Sequence, residues 1–260
     1  MRPGRQPLTP RRRFLVVTEE PLAERMAGPA VRALELARVL GRSGFPVELV
    51  SLTGCSRTDP DVRLSHAQDL WPALREAGAV LLQGDVLGLQ PWLSEVDVPL
   101  VVDAYDPFHL EQLEQARGQG EARRRAIVRD CVRALNRQLA RADLVLAASP
   151  RQRDLWLGHL AALGRINPVT YDDDPALARL VAVVPFGVPD GAPARGPQPV
   201  LRGVLPGVAA EDQLLVWGGG IYDWLDPVTL IRAVGRLAGS FPRLRLVFLG
   251  TAHPGAGPVG

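Results

Sequence analysis

The chain has 260 residues, 47% hydrophobic and 22% charged, with a net charge of +2. This composition excludes a disordered or fibrous chain, and so small a net charge gives no ground for a nucleic-acid partner. No apolar run reaches the roughly 18 residues of a membrane span, and two isolated cysteines, Cys55 and Cys131, make neither a disulfide framework nor a metal knuckle.

Every basic side chain is an arginine, as expected of a GC-rich coding sequence. Arg11-Arg12-Arg13-Phe14-Leu15 has the form of a twin-arginine leader, but the apolar run after it ends at Thr18-Glu19-Glu20. A signal needs an apolar segment of about 7–15 residues, so residues 1–12 read as a basic tail and the chain as cytoplasmic. Phe14–Val17 reads as the first strand. Gly28-Pro29 opens a helix to about Ser43, with proline where no N–H is wasted and Gly44 suited to its end. Ala30, Ala33, Leu34, Ala37 and Leu40 share one face of it. Strands are expected at Val47–Leu52, Ala79–Leu82 and Pro99–Val102, with a helix at Asp69–Ala77. A long helical zone is strongest from Glu121 to Ala142. Ile127, Cys131, Leu135 and Leu139 line its apolar side and give Cys131 a buried, reduced thiol; Arg123, Arg124, Arg125 and Arg129 form a solvated face. Leu144–Ala147 reads as a strand, Pro150–Ala162 as a helix and Val181–Val184 as a strand.

Apolar strands alternating with helices predict an α/β fold whose parallel sheet is covered on both faces. Between Pro185 and Gly207 lie six prolines and five glycines, too many breakers for a packed element. A strand, glycine turn, helix and strand follow at Leu214–Trp217, Gly218–Gly220, Pro227–Ala238 and Leu244–Leu249. The expected domains are 13–187, a linker at 188–208, and an incomplete second domain at 209–260.

Four segments carry candidate chemistry. Gly28 at a helix start offers unpaired N–H groups to a phosphate, or is simply a capping glycine. Asp103-Ala104-Tyr105-Asp106-Pro107-Phe108-His109 follows a parallel strand at the edge where open α/β sheets bind ligands. Two carboxylates, a phenol and an imidazole there can bind hydroxyls and exchange protons; the plain alternative is a turn at Asp106-Pro107 and a helix entry at His109. Val184-Pro185-Phe186-Gly187-Val188 leaves the last strand of the first half. Trp217-Gly218-Gly219-Gly220-Ile221-Tyr222-Asp223 is a second phosphate cradle or a tight turn with aromatic packing.

The order of these segments resembles that of family 4 glycosyltransferases. Arg42-Ser43-Gly44-Phe45-Pro46-Val47 stands where the family has "x-x-Gly-His-x-Val". Ala142 to Ser149 is similar to its strand ending in Ser, Val184 to Val188 to its "Ile-Pro-Asn-Gly-Val", and Pro227 to Ala233 to its "x-x-x-Leu-Ile-x-Ala" helix. The resemblance implies a GT-B-like architecture: a Rossmann-like N-terminal domain and the start of a second Rossmann-like domain. It implies retaining, metal-independent transfer from a nucleotide-sugar, used as substrate with no cofactor, to a polysaccharide or lipid-linked glycan, with peripheral membrane contact. It makes Asp106 and His109 catalytic, Asp103 and Tyr105 acceptor-binding, and Gly28, Gly218, Gly219, Gly220 and Asp223 donor-binding. The family's Arg and Lys for the donor diphosphate are replaced by Gly220 and Leu225, and its downstream "Glu-x7-Glu" element is not reached. This chain alone is therefore expected to transfer little sugar. A sugar-nucleotide epimerase of the same fold and a non-catalytic binding module are the alternatives. A dinucleotide dehydrogenase is disfavoured, since no Gly-x-Gly-x-x-Gly follows strand one and Glu48 alone is weak evidence.

Overall fold

In the computed structural model, residues 13–188, 191–194, 196–222 and 225–250 are described. The basic tail and Asp223 lie outside them. The chain divides into two compact units, 1–186 and 187–260.

The first unit runs β1 (Arg13–Thr18), α1 (Gly28–Arg42), β2 (Val47–Ser51), β3 (Arg63–His66), α2 (Leu70–Glu76), β4 (Ala77–Gln83), α3 (Val86–Leu89), β5 (Leu100–Asp103), α4 (Phe108–Gln115), α5 (Glu121–Arg141), β6 (Leu144–Ala147), α6 (Pro150–Ala162), α7 (Pro168–Asp173) and β7 (Val181–Val183). Its seven strands pair in the order β3-β2-β1-β4-β5-β6-β7, all parallel. The pleat sends alternate side chains of β1 to opposite faces. Leu15 and Val17 pack with α2 and α3 through Leu70, Leu74, Val86 and Leu87, whereas Val16 meets Ala30, Ala33, Leu34 and Ala37 of α1. A third cluster joins Val102 and Val145 to Leu135 and Leu139 of α5 and to Trp156 and Leu160 of α6. The sheet is thus covered on both sides, which is why its strands are nearly all apolar.

Several expectations change. Ala77 belongs to β4 and not to the preceding helix, because its backbone already pairs with Arg13. The polar segment Arg63-Leu64-Ser65-His66 is a strand: at the sheet edge its backbone pairs only with β2, and Arg63 and His66 stay exposed. Cys131 is half-buried, not enclosed. Arg123, Arg125 and Arg129 are exposed, but Arg124 is half-buried and donates to the Leu113 carbonyl at the end of α4. Glu48 lies inside the sheet layer, held by Arg13 and the Ser65 hydroxyl, so it is not presented to a ribose.

The second unit holds β8 (Gln213–Trp217), α8 (Pro227–Leu237) and β9 (Leu244–Phe248), with β8 and β9 in parallel. Val247 is buried, but Leu215, Val216, Val228 and Ile231 remain exposed.

Candidate functional site

Strand order reverses beside β1: β2 and β3 lie to one side of it, and β4 to β7 to the other. The chain therefore leaves the carboxyl ends of β1 and β4 in opposite directions and opens a crevice there, the place where open α/β sheets take ligands. Glu19 and Glu20 follow β1, and Gly84 and Asp85 follow β4. Gly84 has φ +77°, and a Cβ on it would lie 2.3 Å from Oε1 of Glu19. Only glycine permits both that backbone and that carboxylate. Burial pushes the Glu19 carboxyl up, and the neighbouring Asp85 and Glu20 charges add to the effect. Burial raises Asp85 likewise, although its side chain accepts from the Gly88 N–H and so opposes the rise.

The N-terminus of α1 follows β1 and carries no side-chain cap and no acidic residue in its first turn. Gly28 is exposed, and a Cβ there would meet nothing within 4 Å. Its free N–H groups and positive dipole end suit an anion. The second unit differs. Asp226 caps α8 by accepting from the Thr229 N–H at 3.1 Å, so a carboxylate already holds that helix start. In the glycine turn before it, the Trp217 indole donates to the Gly220 carbonyl at 3.1 Å, and the Tyr222 ring lies where a Cβ on Gly220 would be. Gly218 has open space above it.

The segment after β5 divides among different partners. Asp103 is 4% exposed, and its two oxygens accept from Nε and Nη2 of Arg32, each at 2.8 Å. Gln83 joins this pair at 3.4 Å and itself accepts from the Thr18 hydroxyl at 2.8 Å. The expectation that Asp103 contacts an acceptor is corrected here: its carboxylate is buried and occupied. Tyr105 is half-buried, edge-on to Phe186 with ring centres 5.3 Å apart, and its carbonyl accepts from Gln152. Burial, with Asp106, Asp103 and Glu20 nearby, keeps its hydroxyl protonated far above neutral pH. Asp106 is pushed up to about 6, by burial first and then by the Glu111 carboxyl beside it. His109 lies in the first turn of α4, its ring 6.1 Å from Trp156 and 6.4 Å from His159. Its Nδ1 is buried without a hydrogen-bond partner, and burial pulls its pKa down. Asp106 and His109 are thus held by separate neighbours, the first by Glu111 and the second by the α6 aromatics.

Sequence reasoning missed Arg32, Glu19 and Asp85. Arg32 falls between apolar positions of α1, and the helical spacing does not single it out. Glu19 and Asp85 become conspicuous only once β4 is known to lie beside β1. Among the described residues no group of three His, Cys, Asp or Glu could hold a metal ion, and no helix is long and apolar enough to cross a membrane.

No protein-family model matches the chain, and no curated protein matches it. Solved structures do. Sucrose-phosphate synthase from Thermosynechococcus elongatus is 12% identical with a TM-score of 0.58, over 95% of this chain and 64% of that one. A UGT of Phytolacca americana, solved with UDP-2-fluoro-glucose and pterostilbene, is 13% identical over 92% of this chain and 71% of its own, with a TM-score of 0.44. A UGT of Siraitia grosvenorii, solved with UDP, is 11% identical over 68% and 51%, with a TM-score of 0.36. This chain spans less than two thirds of the sucrose-phosphate synthase, and the likeness to that enzyme extends through both units: the fold is α/β and GT-B-like.

Proposed function

We propose that this chain provides the acceptor-side half, and part of the donor-side half, of a retaining, metal-independent glycosyltransferase related to family 4. The donor is a nucleotide-sugar and the acceptor a glycan or lipid-linked glycan. The observation that carries the reading is the reversal of strand order at β1 and β4 beside the uncapped, glycine-led start of α1, in a GT-B-like fold. In this reading Gly28 meets an anionic group of the substrates, the backbone of Gly218, Gly219 and Gly220 meets the donor phosphates, and Asp223 binds the donor. Asp106 takes the proton of the attacking acceptor hydroxyl, since a carboxyl near 6 exchanges protons at neutral pH. His109 is the second proton-handling group, and the protonated Tyr105 hydroxyl donates to the acceptor.

The test is calorimetric titration with UDP-glucose, ADP-glucose and GDP-mannose, beside an assay for nucleoside diphosphate released in the presence of oligosaccharide acceptors. Donor binding weaker than micromolar, short of the about 8 kcal/mol that micromolar affinity needs, with little glycoside formed by this chain alone, is the expected outcome. An epimerised free sugar as product would identify an epimerase. Absence of binding by the whole panel would overturn the reading.

A further inference from the structure

Arg32 is an arginine enclosed within a helix face, with only 3% of its side chain exposed. Its guanidinium serves three structures at once. Nε and Nη2 take the Asp103 carboxylate at the end of β5, Nη2 also donates to the Val184 carbonyl at 2.9 Å, and Nη1 donates to the Pro185 carbonyl at 3.3 Å. The same group lies 5.1 Å from the Tyr105 ring centre and 4.7 Å from that of Phe186. A planar fork with five donors can satisfy a carboxylate and two carbonyls together, which a lysine ammonium cannot. The segment it grips follows β7, where Val184 N–H still bonds to the Ala147 carbonyl, and ends at Phe186, the last residue of the first unit.

We propose that Arg32 is a positioning residue that fixes the path by which the chain leaves the first unit and, through the same contacts, the attitude of Tyr105. Asp103 orients the guanidinium, and the guanidinium then holds the two carbonyls and the aromatic pair. An ion pair serving only to stabilise the core would not need the carbonyl bonds. The consequence for turnover rests on the transferase reading; the clamp itself does not.

Hydrogen exchange tests it on the full chain. In Arg32→Lys the charge stays but the fork is lost, and exchange in the Val184–Val188 segment rises about threefold. In the double variant Arg32→Met with Asp103→Leu no buried charge is left unpaired, so the sheet keeps its stability. Exchange in the same segment then rises about tenfold, while Leu49 and Val50 in β2 stay within about twofold of the parent. Unchanged exchange in that segment, or an equal rise in β2, would overturn the proposal. Where the parent transfers sugar, the double variant raises the acceptor KM more than it lowers kcat, and Arg32→Lys recovers part of the loss. A parent that binds no nucleotide-sugar of the panel would defeat the transferase reading, with the exchange pattern still deciding the clamp.

Discussion

Asp103 and Asp106 sit three residues apart, yet their surroundings give them opposite chemistry. Asp103 faces a guanidinium that fills both its oxygens, while Asp106 faces the Glu111 carboxyl. Burial first, and then the Glu111 carboxyl beside it, disfavour its charged form, so Asp106 retains its proton to about pH 6. The folded chain then binds more protons than the unfolded one between the ordinary carboxylate pKa of 3.8 and about 6, and this contribution to stability falls as pH rises through that window. Asp106→Asn removes the charge and is expected to stabilise the protein at pH 7.5 by about 1 kcal/mol, discounted for partial solvent exposure. The same substitution should flatten the pH dependence between 4 and 6. Urea melts at several pH values measure both effects, and a less stable Asn variant at pH 7.5 would show that the carboxylate is satisfied in the fold. His109 works in the other direction. Its pKa is lowered by burial and then by His159, so its contribution is present at neutral pH and is lost as pH falls below the ordinary histidine value of 6.5. An NMR titration should place its imidazole below 6.5; a midpoint above that value would mean that a partner stabilises the charged ring.

At the scale of elements, α1 combines a well-buried apolar stripe with an undefended start. Ala27 has an extended backbone, the conformation of an N-cap residue, but no side chain able to accept from the N–H groups ahead of it. Pro29 has no N–H, which leaves Gly28 and Ala30 as the donors of the first turn. Ala27→Asp supplies the missing cap and is expected to stabilise the protein by about 1 kcal/mol in urea melts. On the transferase reading it also places a negative charge where the substrate's anionic group would lie, so binding of nucleotide-sugar or anionic acceptor should weaken as stability rises. A variant no more stable than the parent would mean that these N–H groups already have partners. The elements also show where the sequence was legible. β6 and α6 stand at Leu144–Ala147 and Pro150–Ala162, as read, because Ser149 accepts from the Gln152 N–H and Pro150 fits the first helical position. The short helix at Pro168–Asp173 escaped notice because Asn167 caps a segment with no apolar periodicity. β3 escaped because backbone pairing to a single neighbour asks little of its side chains. Arg32 escaped for a different reason: its partner Asp103 is 71 residues away, and helical periodicity counts apolar neighbours, not distant carboxylates. The position of Asp106 just past a strand was legible, because a cluster of polar residues follows the apolar run of β5. The candidate site was illegible at Glu19 and Asp85, which depend on strand order.

The whole molecule places very different amounts of cover over its two units. In the first, seven strands are enclosed by helices on both faces, and Leu15, Val17, Leu49, Val80 and Leu82 are fully buried. In the second, the described residues form two strands and one helix. Val216 in β8 is 50% exposed and Ile231 in α8 is 51% exposed, although both are of the type that belongs in a core. Burial returns about 25 cal/mol per Å² of apolar surface, so half-exposed side chains contribute about half of what the same residues give in the first unit. Small units also bury a smaller share of their surface and are marginal for that reason. The backbone bonds between β8 and β9 follow a regular parallel register from Gln213 to Trp217, so local geometry is not the weak point. What is weak is the cost of opening, because few apolar contacts are lost when this pair separates. Amides of Leu215, Val216 and Leu246 are therefore expected to exchange at least about tenfold faster than those of Leu15, Val16 and Leu49 under native conditions. A nucleotide-sugar that binds the second unit should slow the fast set and leave the slow set unchanged, since a ligand stabilises only the state it binds. Equal protection of the two sets in the free protein would show that the second unit draws stability from contacts beyond its own two strands and helix.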